Sequence, residues 1–131
     1  MVDWSQIPSF SADEFTCKCG CGVEQMDETF IYKLQDLRDR CGFPFRVTSG
    51  YRCSGHPVEA KRAAAGKVGA HTTGNAADIA VTGSDAYTVI KHATNMGFTG
   101  IGVQQKGASR FIHLDDIYEV DGFPRPWVWS Y

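Results

Sequence analysis

The chain has 131 residues, of which 43% are hydrophobic, and carries a formal net charge of −2 at pH 7. This length is ordinary for one domain, and a chain of this size can bury a hydrophobic core without disulfides or a structural metal. We therefore expect a single monomeric domain over residues 1–131. The Lys and Arg residues are scattered and no run of about 18 apolar residues occurs, which argues against a nucleic-acid partner and against membrane insertion.

The first residues, MVDWSQIPSFSADEF, contain acids and no apolar stretch typical of a signal peptide. We expect the protein to be made in the cytoplasm. The chain has five cysteines: Cys17, Cys19, Cys21, Cys41 and Cys53. We favour free thiols, or a disulfide formed after export, over a second, structural zinc site. The ligands of such a site would be Cys17 or Cys21 together with Cys41, Cys53 or His56. Either way, the Cys-rich segment 1–22 is expected to pack on the domain.

Apolar spacing predicts the elements that follow. A helix begins after Asp27 and ends at Gly42, and a strand then covers residues 43–49. A long connection contains a short alanine-rich helix around residues 58–65. Next come a strand over residues 75–81, a helix capped by Ser84 that ends at Gly97, and two short strands, 100–104 and 110–114, that form a hairpin. The tail, residues 121–131, is expected to be an ordered coil. The fold class is therefore α+β, with a small antiparallel sheet flanked by helices.

Two of these strands carry the residues with metal-binding chemistry. Strand alternation places Asp78 on a face with small alanines, and places His113 and Asp115 together on one face of the later strand. If the two strands share a sheet, Asp78 and His113 can converge, and His71 can join them because Gly74 permits a sharp turn. Three such ligands with one open position describe a catalytic zinc site.

Three segments, HTTGNAAD (71–78), FIHLD (111–115) and SGYRC (49–53), resemble motifs of the zinc D-alanyl-D-alanine carboxypeptidase family. That family of peptidoglycan peptidases includes phage endolysins, vancomycin-resistance dipeptidases and carboxypeptidases, and murein endopeptidases, and it shares its fold with the Hedgehog signalling domain. The resemblance extends from about Phe10 to Trp127. One departure is Gly69, which stands where the family pattern has a serine.

The resemblance implies roles for individual residues. His71, Asp78 and His113 are the implied ligands of one catalytic Zn²⁺. The family often has an acid three residues before the last histidine, but that residue is Arg110 here, so the subgroup with a His-x-Asp ending is the closer match. Asp115 is then the candidate acid next to the metal, either as general base or as the group that orients His113. Asp116, of opposite strand parity, is a poorer candidate.

Substrate contacts are also implied by the resemblance. Arg52 matches the family arginine that reaches the substrate, and its planar charged group suits a peptide carboxylate or the oxyanion of the scissile carbonyl. Ser49 and Tyr51 are expected to shape the same loop, and Trp127 is a candidate wall of the groove. The alternatives without a role in substrate binding are a surface salt bridge for Arg52 and core packing for Trp127.

The implied function is a zinc metallopeptidase that hydrolyses a peptidoglycan stem-peptide or cross-link amide bond involving a D-amino acid. We expect a phage or prophage lysis enzyme that degrades the cell wall after holin-type release, or a peptidase carried in a virion. Both L,D and D,D linkages remain open as the bond cut. Two alternatives from other classes are a non-catalytic phage tail protein that keeps the zinc fold, and a cytoplasmic D-alanyl-D-alanine dipeptidase.

Overall fold

A computed structural model describes residues 1–119 and 122–131 and confirms the α+β fold class. The described residues form three α-helices: α1 (Glu28–Cys41), α2 (Pro57–Ala64) and α3 (Gly83–Asn95). Both ends of α1 follow from its sequence, because the Asp27 carboxylate accepts a hydrogen bond from the Phe30 N–H and Gly42 ends the helix in the left-handed conformation. That the chain forms one domain over residues 1–131 stays a prediction.

Five strands form one sheet in the order β1-β2-β4-β3-β5. Their bounds are β1 (Arg46–Ser49), β2 (Ala76–Ala80), β3 (Gly100–Gln104), β4 (Phe111–Asp115) and β5 (Trp127–Ser130). The pairings β1–β2, β2–β4 and β3–β4 are antiparallel, as expected, and the last of these is the predicted hairpin. The pairing that brings β2 beside β4 also meets the condition on which the proposed metal centre depends.

The hydrophobic core lies between one face of the sheet and helices α1 and α3. The strands contribute alternate residues, such as Ile79, Ile112 and Leu114, all with 0% exposure. The N-terminal segment adds aromatic side chains, since Phe10 and Phe15 are buried in the same cluster. The opposite face of β2 and β4 is left for polar residues.

Two sequence expectations need correction. Helix α3 is preceded by Thr82, not Ser84, at its N-cap position. The tail is not a coil throughout, because residues 127–130 form β5, which pairs in parallel with β3 and makes the sheet mixed. The first residue of that predicted coil, Asp121, lies outside the described residues. Within residues 1–119 and 122–131, no helix combines the length and apolarity needed to cross a membrane.

Candidate metal centre

The candidate ligands on the strands lie in a row across the polar face of the sheet. The register pairs Asp78 of β2 with His113 of β4, and His113 with Gly102 of β3. His71 approaches from the short 3-10 helix Ala70–Thr73. That helix ends at Gly74, which has a φ of 78° and leaves no room for a side chain beside the Gln25 carbonyl. The turn predicted at this glycine is therefore present, and it delivers His71 to the strands.

The three predicted ligands meet at one point. The Asp78 Oδ1 atom lies 3.3 Å from His71 Nε2 and 3.0 Å from His113 Nδ1. A tetrahedral zinc ion about 2.0–2.1 Å from each nitrogen or oxygen ligand separates those ligands by about 3.3–3.4 Å. All three side chains are buried, with exposures of 3%, 6% and 2% for His71, Asp78 and His113. The observed spacing suits one metal ion.

Hydrogen bonds fix which ring nitrogen faces that point. The Nδ1 atom of His71 lies 2.8 Å from the Gly50 carbonyl oxygen, which can only accept, so in the neutral ring Nδ1 carries the hydrogen and Nε2 presents a lone pair to Asp78. The Nε2 atom of His113 likewise donates to Asp115 Oδ2 at 2.8 Å, which turns Nδ1 towards Asp78. When both rings are neutral, two lone pairs and a carboxylate oxygen converge there, and a metal cation between them satisfies all three; when the rings are protonated, the same nitrogens donate to Asp78 instead. The donor set fits zinc.

A comparison with protein-family models matches residues 8–115 to the family described as Peptidase M15. The chain belongs to the Peptidase M15 family. Members of this family are zinc-dependent peptidases, and His71, Asp78 and His113 form a site that could hold one such ion. A search of curated proteins found no match to the chain.

The ionisable side chains of the metal centre shift each other's pKa values towards the charged forms. Burial acts to raise the pKa of Asp78, but hydrogen bonds from His113 and His71 outweigh it and hold that pKa well below its ordinary value. Burial acts to lower the pKa of His113, and the Asp115 and Asp78 carboxylates outweigh it and raise that pKa. The pKa of Asp115 is lowered despite its burial, because His113 and Arg125 both donate to its carboxylate. Asp78 and Asp115 are therefore ionised.

Asp115 is held on the far side of the His113 ring from Asp78. Its side chain has 0% exposure. Arg125 donates two hydrogen bonds to it, from Nε to Oδ1 at 2.9 Å and from Nη2 to Oδ2 at 2.8 Å. The Ile117 N–H also points at Oδ1, at 3.3 Å. Its link to the ligand cluster therefore runs through the His113 ring.

Two glycines of β3 make room for this arrangement. Gly100 pairs with Asp115, and a methyl group on Gly100 would overlap the Asp115 carboxylate. A methyl group on Gly102 would lie 2.7 Å from the Trp129 indole nitrogen and 2.9 Å from the His113 Cβ. Trp129 of β5 instead packs over Gly102, with its ring centroid 4.9 Å from that of His113. The absence of side chains on β3 lets β5 reach the centre.

Arg52 lies beside the ligands and is held by two acids. Its guanidinium is 3.4 Å from Glu59 Oε2 and 3.9 Å from Asp78 Oδ2. Glu59, on α2, is 3% exposed and also pairs with Arg62 at 3.5 Å. A side chain at Gly69 would overlap Glu59 Oε1, so the glycine that departs from the family pattern gives space to this glutamate. The Arg52 position is thus set by Glu59.

Two adjoining cavities on this face form what we call the groove. The first, of about 620 Å³, is lined by all three ligands, Arg52 and Trp127, and the second, of about 450 Å³, by Ser49, Arg52, Asp78 and Arg110. Trp127 thus lies where a groove wall was expected, with 55% exposure. Tyr51 instead packs against the core and donates its backbone N–H to the Phe15 carbonyl at 2.9 Å. It lines neither cavity.

Three residues that contact the site were not predicted from the sequence: Glu59, Arg125 and Trp129. Glu59 belongs to no motif, and the sequence indicated its place only through Gly69, whose missing side chain leaves room for it. Arg125 and Trp129 lie beyond residue 115, where the family match ends. They reach the centre through the pairing of β5 with β3, which local patterns did not indicate.

Proposed function

We propose that the chain is a peptidoglycan peptidase that uses one zinc ion to hydrolyse a stem-peptide or cross-link amide bond involving a D-amino acid. The observation that carries this proposal is the convergence of two oriented histidines and Asp78 on a groove in an M15 chain. The two cavities share Arg52 and Asp78, so the groove continues on both sides of the ligands. A groove open on two sides suits an endopeptidase better than a dipeptidase.

The charge of the groove also supports a carboxylate-bearing peptide as substrate. Although the net charge of the chain is −2, the groove is lined by cations from separate parts of the sequence. These are Arg46, Arg52, Arg62, Lys67, Arg110 and Arg125. Arg125 is paired with Asp115, and Arg52 and Arg62 share Glu59, but the cations still outnumber the acids beside them, so the groove attracts the free carboxylates of peptidoglycan stem peptides.

Each residue has a role in this proposal. Zinc, when bound, lowers the pKa of water and polarises the scissile carbonyl. His71, Asp78 and His113 hold the ion, and the Gly50 carbonyl and Asp115 fix the two rings. Arg52 stabilises the negative charge that develops on the carbonyl oxygen or binds a substrate carboxylate. Trp127 and Ser49 contact the peptide on opposite sides of Asp78.

Asp115 serves in this proposal to orient His113. Both of its oxygens receive hydrogen bonds from Arg125, and Oδ2 also receives one from His113. Such carboxylate–histidine–metal arrangements strengthen metal binding, and loss of the outer partner typically costs about 10–100-fold in metal affinity or activity. Asp115→Asn is expected to lower zinc affinity and activity together by about that factor. Retention of full zinc affinity with lost turnover would instead identify Asp115 as the proton acceptor.

The experiment that tests the proposed function is digestion of purified peptidoglycan by the zinc-loaded protein, with released fragments identified by mass spectrometry. The fragment masses name the bond that is cut. His113→Ala is the matched control and is expected to release nothing. Equal release by both proteins would contradict the zinc mechanism.

One observation favours a second candidate function, a zinc-fold protein that binds peptidoglycan without cutting it. The position three residues before His113 is Arg110, whose Nε donates to the Gly107 carbonyl. Among the described residues, the acids nearest the ligands are engaged, Asp115 by Arg125 and Glu59 by Arg52. Retention of the protein on peptidoglycan without fragment release would support this function.

A peptidoglycan substrate places the action of the protein at the cell wall. We propose a role in phage or prophage lysis, with access to the wall by holin-type release or as part of a virion. Lysis of cells that co-express the chain with a holin, compared with cells that express His113→Ala and the same holin, tests this role. Equal lysis by the two would contradict it.

A further inference from the structure

A second cluster of metal-binding groups lies outside the histidine centre. Four sulfur atoms lie within 4.8 Å of one another, those of Cys17, Cys19, Cys21 and Cys53. The Cys53 Sγ atom is 3.6, 3.5 and 3.7 Å from the sulfurs of Cys17, Cys19 and Cys21 respectively. Zinc bound tetrahedrally by four thiolates, at about 2.3 Å each, separates the sulfurs by about 3.8 Å. The spacing of the cluster is close to that of a zinc tetrathiolate.

The backbone of the CKCGCG run is shaped to present three thiols to one point. Gly20 and Gly22 have φ angles of 97° and 73°, which residues with side chains rarely adopt. The loop is closed by a hydrogen bond from the Cys17 N–H to the Val23 carbonyl at 2.8 Å. Two backbone N–H groups point at sulfur, that of Cys53 at Cys17 Sγ and that of Val23 at Cys21 Sγ, both at 3.4 Å. Such donors stabilise thiolates.

We propose that Cys17, Cys19, Cys21 and Cys53 bind a second zinc ion in a closed, structural four-thiolate site. All four are free cysteines in the structure, and a disulfide of Cys53 with any one neighbour would leave two thiols unused beside it. The other groups that the sequence offered are elsewhere. Cys41 is at the end of α1, and His56 accepts the Val58 N–H through Nδ1. Zinc binding replaces the thiol protons, which are released to solvent.

The second zinc ion would hold the loop that supports the histidine centre. Cys53 follows Arg52 directly, and the Arg52 N–H donates to the His71 carbonyl at 3.1 Å. The Gly50 carbonyl in the same loop accepts from His71 Nδ1. By joining this loop to the segment 17–21, the ion restrains the positions of Arg52 and His71. The cysteines are therefore positioning residues, and this inference does not depend on which bond the enzyme cuts.

Zinc content tests the proposal directly. Protein purified under reducing conditions with zinc is expected to contain about two ions per chain, one at each site. Cys19→Ser and Cys21→Ser are each expected to contain about one. Cys41→Ser is the matched control, because it makes the same substitution outside the cluster, and is expected to keep both. Unchanged zinc content in both Cys19→Ser and Cys21→Ser would overturn the proposal.

A measurement on His113→Ala covers the case in which the cysteine variants fail to fold. This variant is expected to lose the first zinc ion and to retain the second, so X-ray absorption at the zinc edge reports the cysteine site alone. The expected result is four sulfur neighbours at about 2.3 Å. A shell of nitrogen and oxygen only, or the absence of zinc together with a disulfide found by mass spectrometry, would overturn the proposal.

Discussion

Gly69 shows how a single missing side chain shapes the site. The space that a serine would fill is taken by the buried carboxylate of Glu59, which in turn holds Arg52. The sequence indicated that position 69 departs from the family pattern but could not indicate what occupies the space. Glu59 lies ten residues earlier, on a different element, so the pairing becomes visible only after the chain folds.

Gly69→Ser is expected to lower the free energy of unfolding by about 1–3 kcal/mol, because the new side chain overlaps Glu59 Oε1 and forces it to move. Urea unfolding of the variant measures this cost. The same substitution in a Glu59→Ala background is expected to cost less, since the nearest overlapping group is gone and Arg62 Nη1, 2.6 Å away, is the end of a flexible side chain. An equal cost in both backgrounds would show that Glu59 is not responsible.

Asp116 provides a prediction about pH. Burial raises the pKa of its carboxyl from 3.8 to about 6, opposed by Lys33 and supported by Asp27 and Asp115, and its Oδ1 atom is buried without a hydrogen-bond partner. The folded chain therefore keeps a proton that the unfolded chain releases near its ordinary pKa. The free energy of unfolding should fall as pH rises through this interval, and the penalty remains above it.

Asp116→Asn removes this penalty and is expected to stabilise the protein at pH 7 by up to about 1 kcal/mol, a value discounted for the partial exposure of the side chain. Thermal unfolding from pH 4 to pH 7 measures the difference. Asp36→Asn makes the same substitution on the exposed surface of α1 and is the matched control. A gain that is constant across this range would exclude titration of Asp116 as its cause.

At the scale of elements, β3 is important because two of its residues are glycines and have no side chain. Gly100 and Gly102 face Asp115 and His113 across the β3–β4 pairing. Gly100→Ala is expected to displace the Asp115 carboxylate and to lower zinc affinity at the histidine centre by about 10–100-fold. Competition with a chelator measures this affinity.

Gly55→Ala is a suitable control for this substitution. A methyl group there would meet only the Cys53 sulfur at 3.8 Å, an ordinary contact. The control should therefore keep the affinity of the unaltered protein. If Gly100→Ala binds zinc as tightly as Gly55→Ala, Asp115 does not depend on the space that Gly100 provides.

The elements differ in how well their sequence predicted them. Helix α1 has an acidic N-cap and a glycine at its end, β4 alternates apolar and polar residues, and β2 is a short apolar run with Asp78 at its centre, so local patterns were sufficient. Strand β5 was missed because Pro124 and Pro126 surround Arg125 and the WVW run does not alternate in polarity. Its pairing partner, β3, lies more than 20 residues earlier, and no local pattern specifies a parallel neighbour.

At the scale of the whole molecule, the metal centre joins segments that are distant in sequence. His71 is supported by the loop at Gly50, and Asp78 and His113 lie on separate strands. The ligand set could be predicted because strand parity and a family motif both pointed to it. The outer support from Arg125 and Trp129 could not, because it depends on where β5 docks.

Zinc is expected to stabilise the folded chain, because the ligands converge only when these segments are assembled. Binding to the folded state alone contributes about 2.7 kcal/mol when free zinc is 100 times its dissociation constant. Chelation should therefore lower the melting temperature, and His113→Ala should show a smaller response to zinc. Calorimetry of metal-free and zinc-loaded protein measures both. Identical melting temperatures with and without zinc would contradict an intact centre.

The parallel pairing of β5 with β3 has a consequence for the protein during its synthesis. Residues leave the ribosome in order from the N-terminus, and a domain folds as a unit. The three zinc ligands are all present once residue 113 has emerged, but Arg125 and Trp129, which hold Asp115 and cover His113, emerge later. A nascent chain therefore contains the three ligands before it contains Arg125 and Trp129. The centre reaches its final geometry only when β5 has been made and has docked on the two glycines of β3.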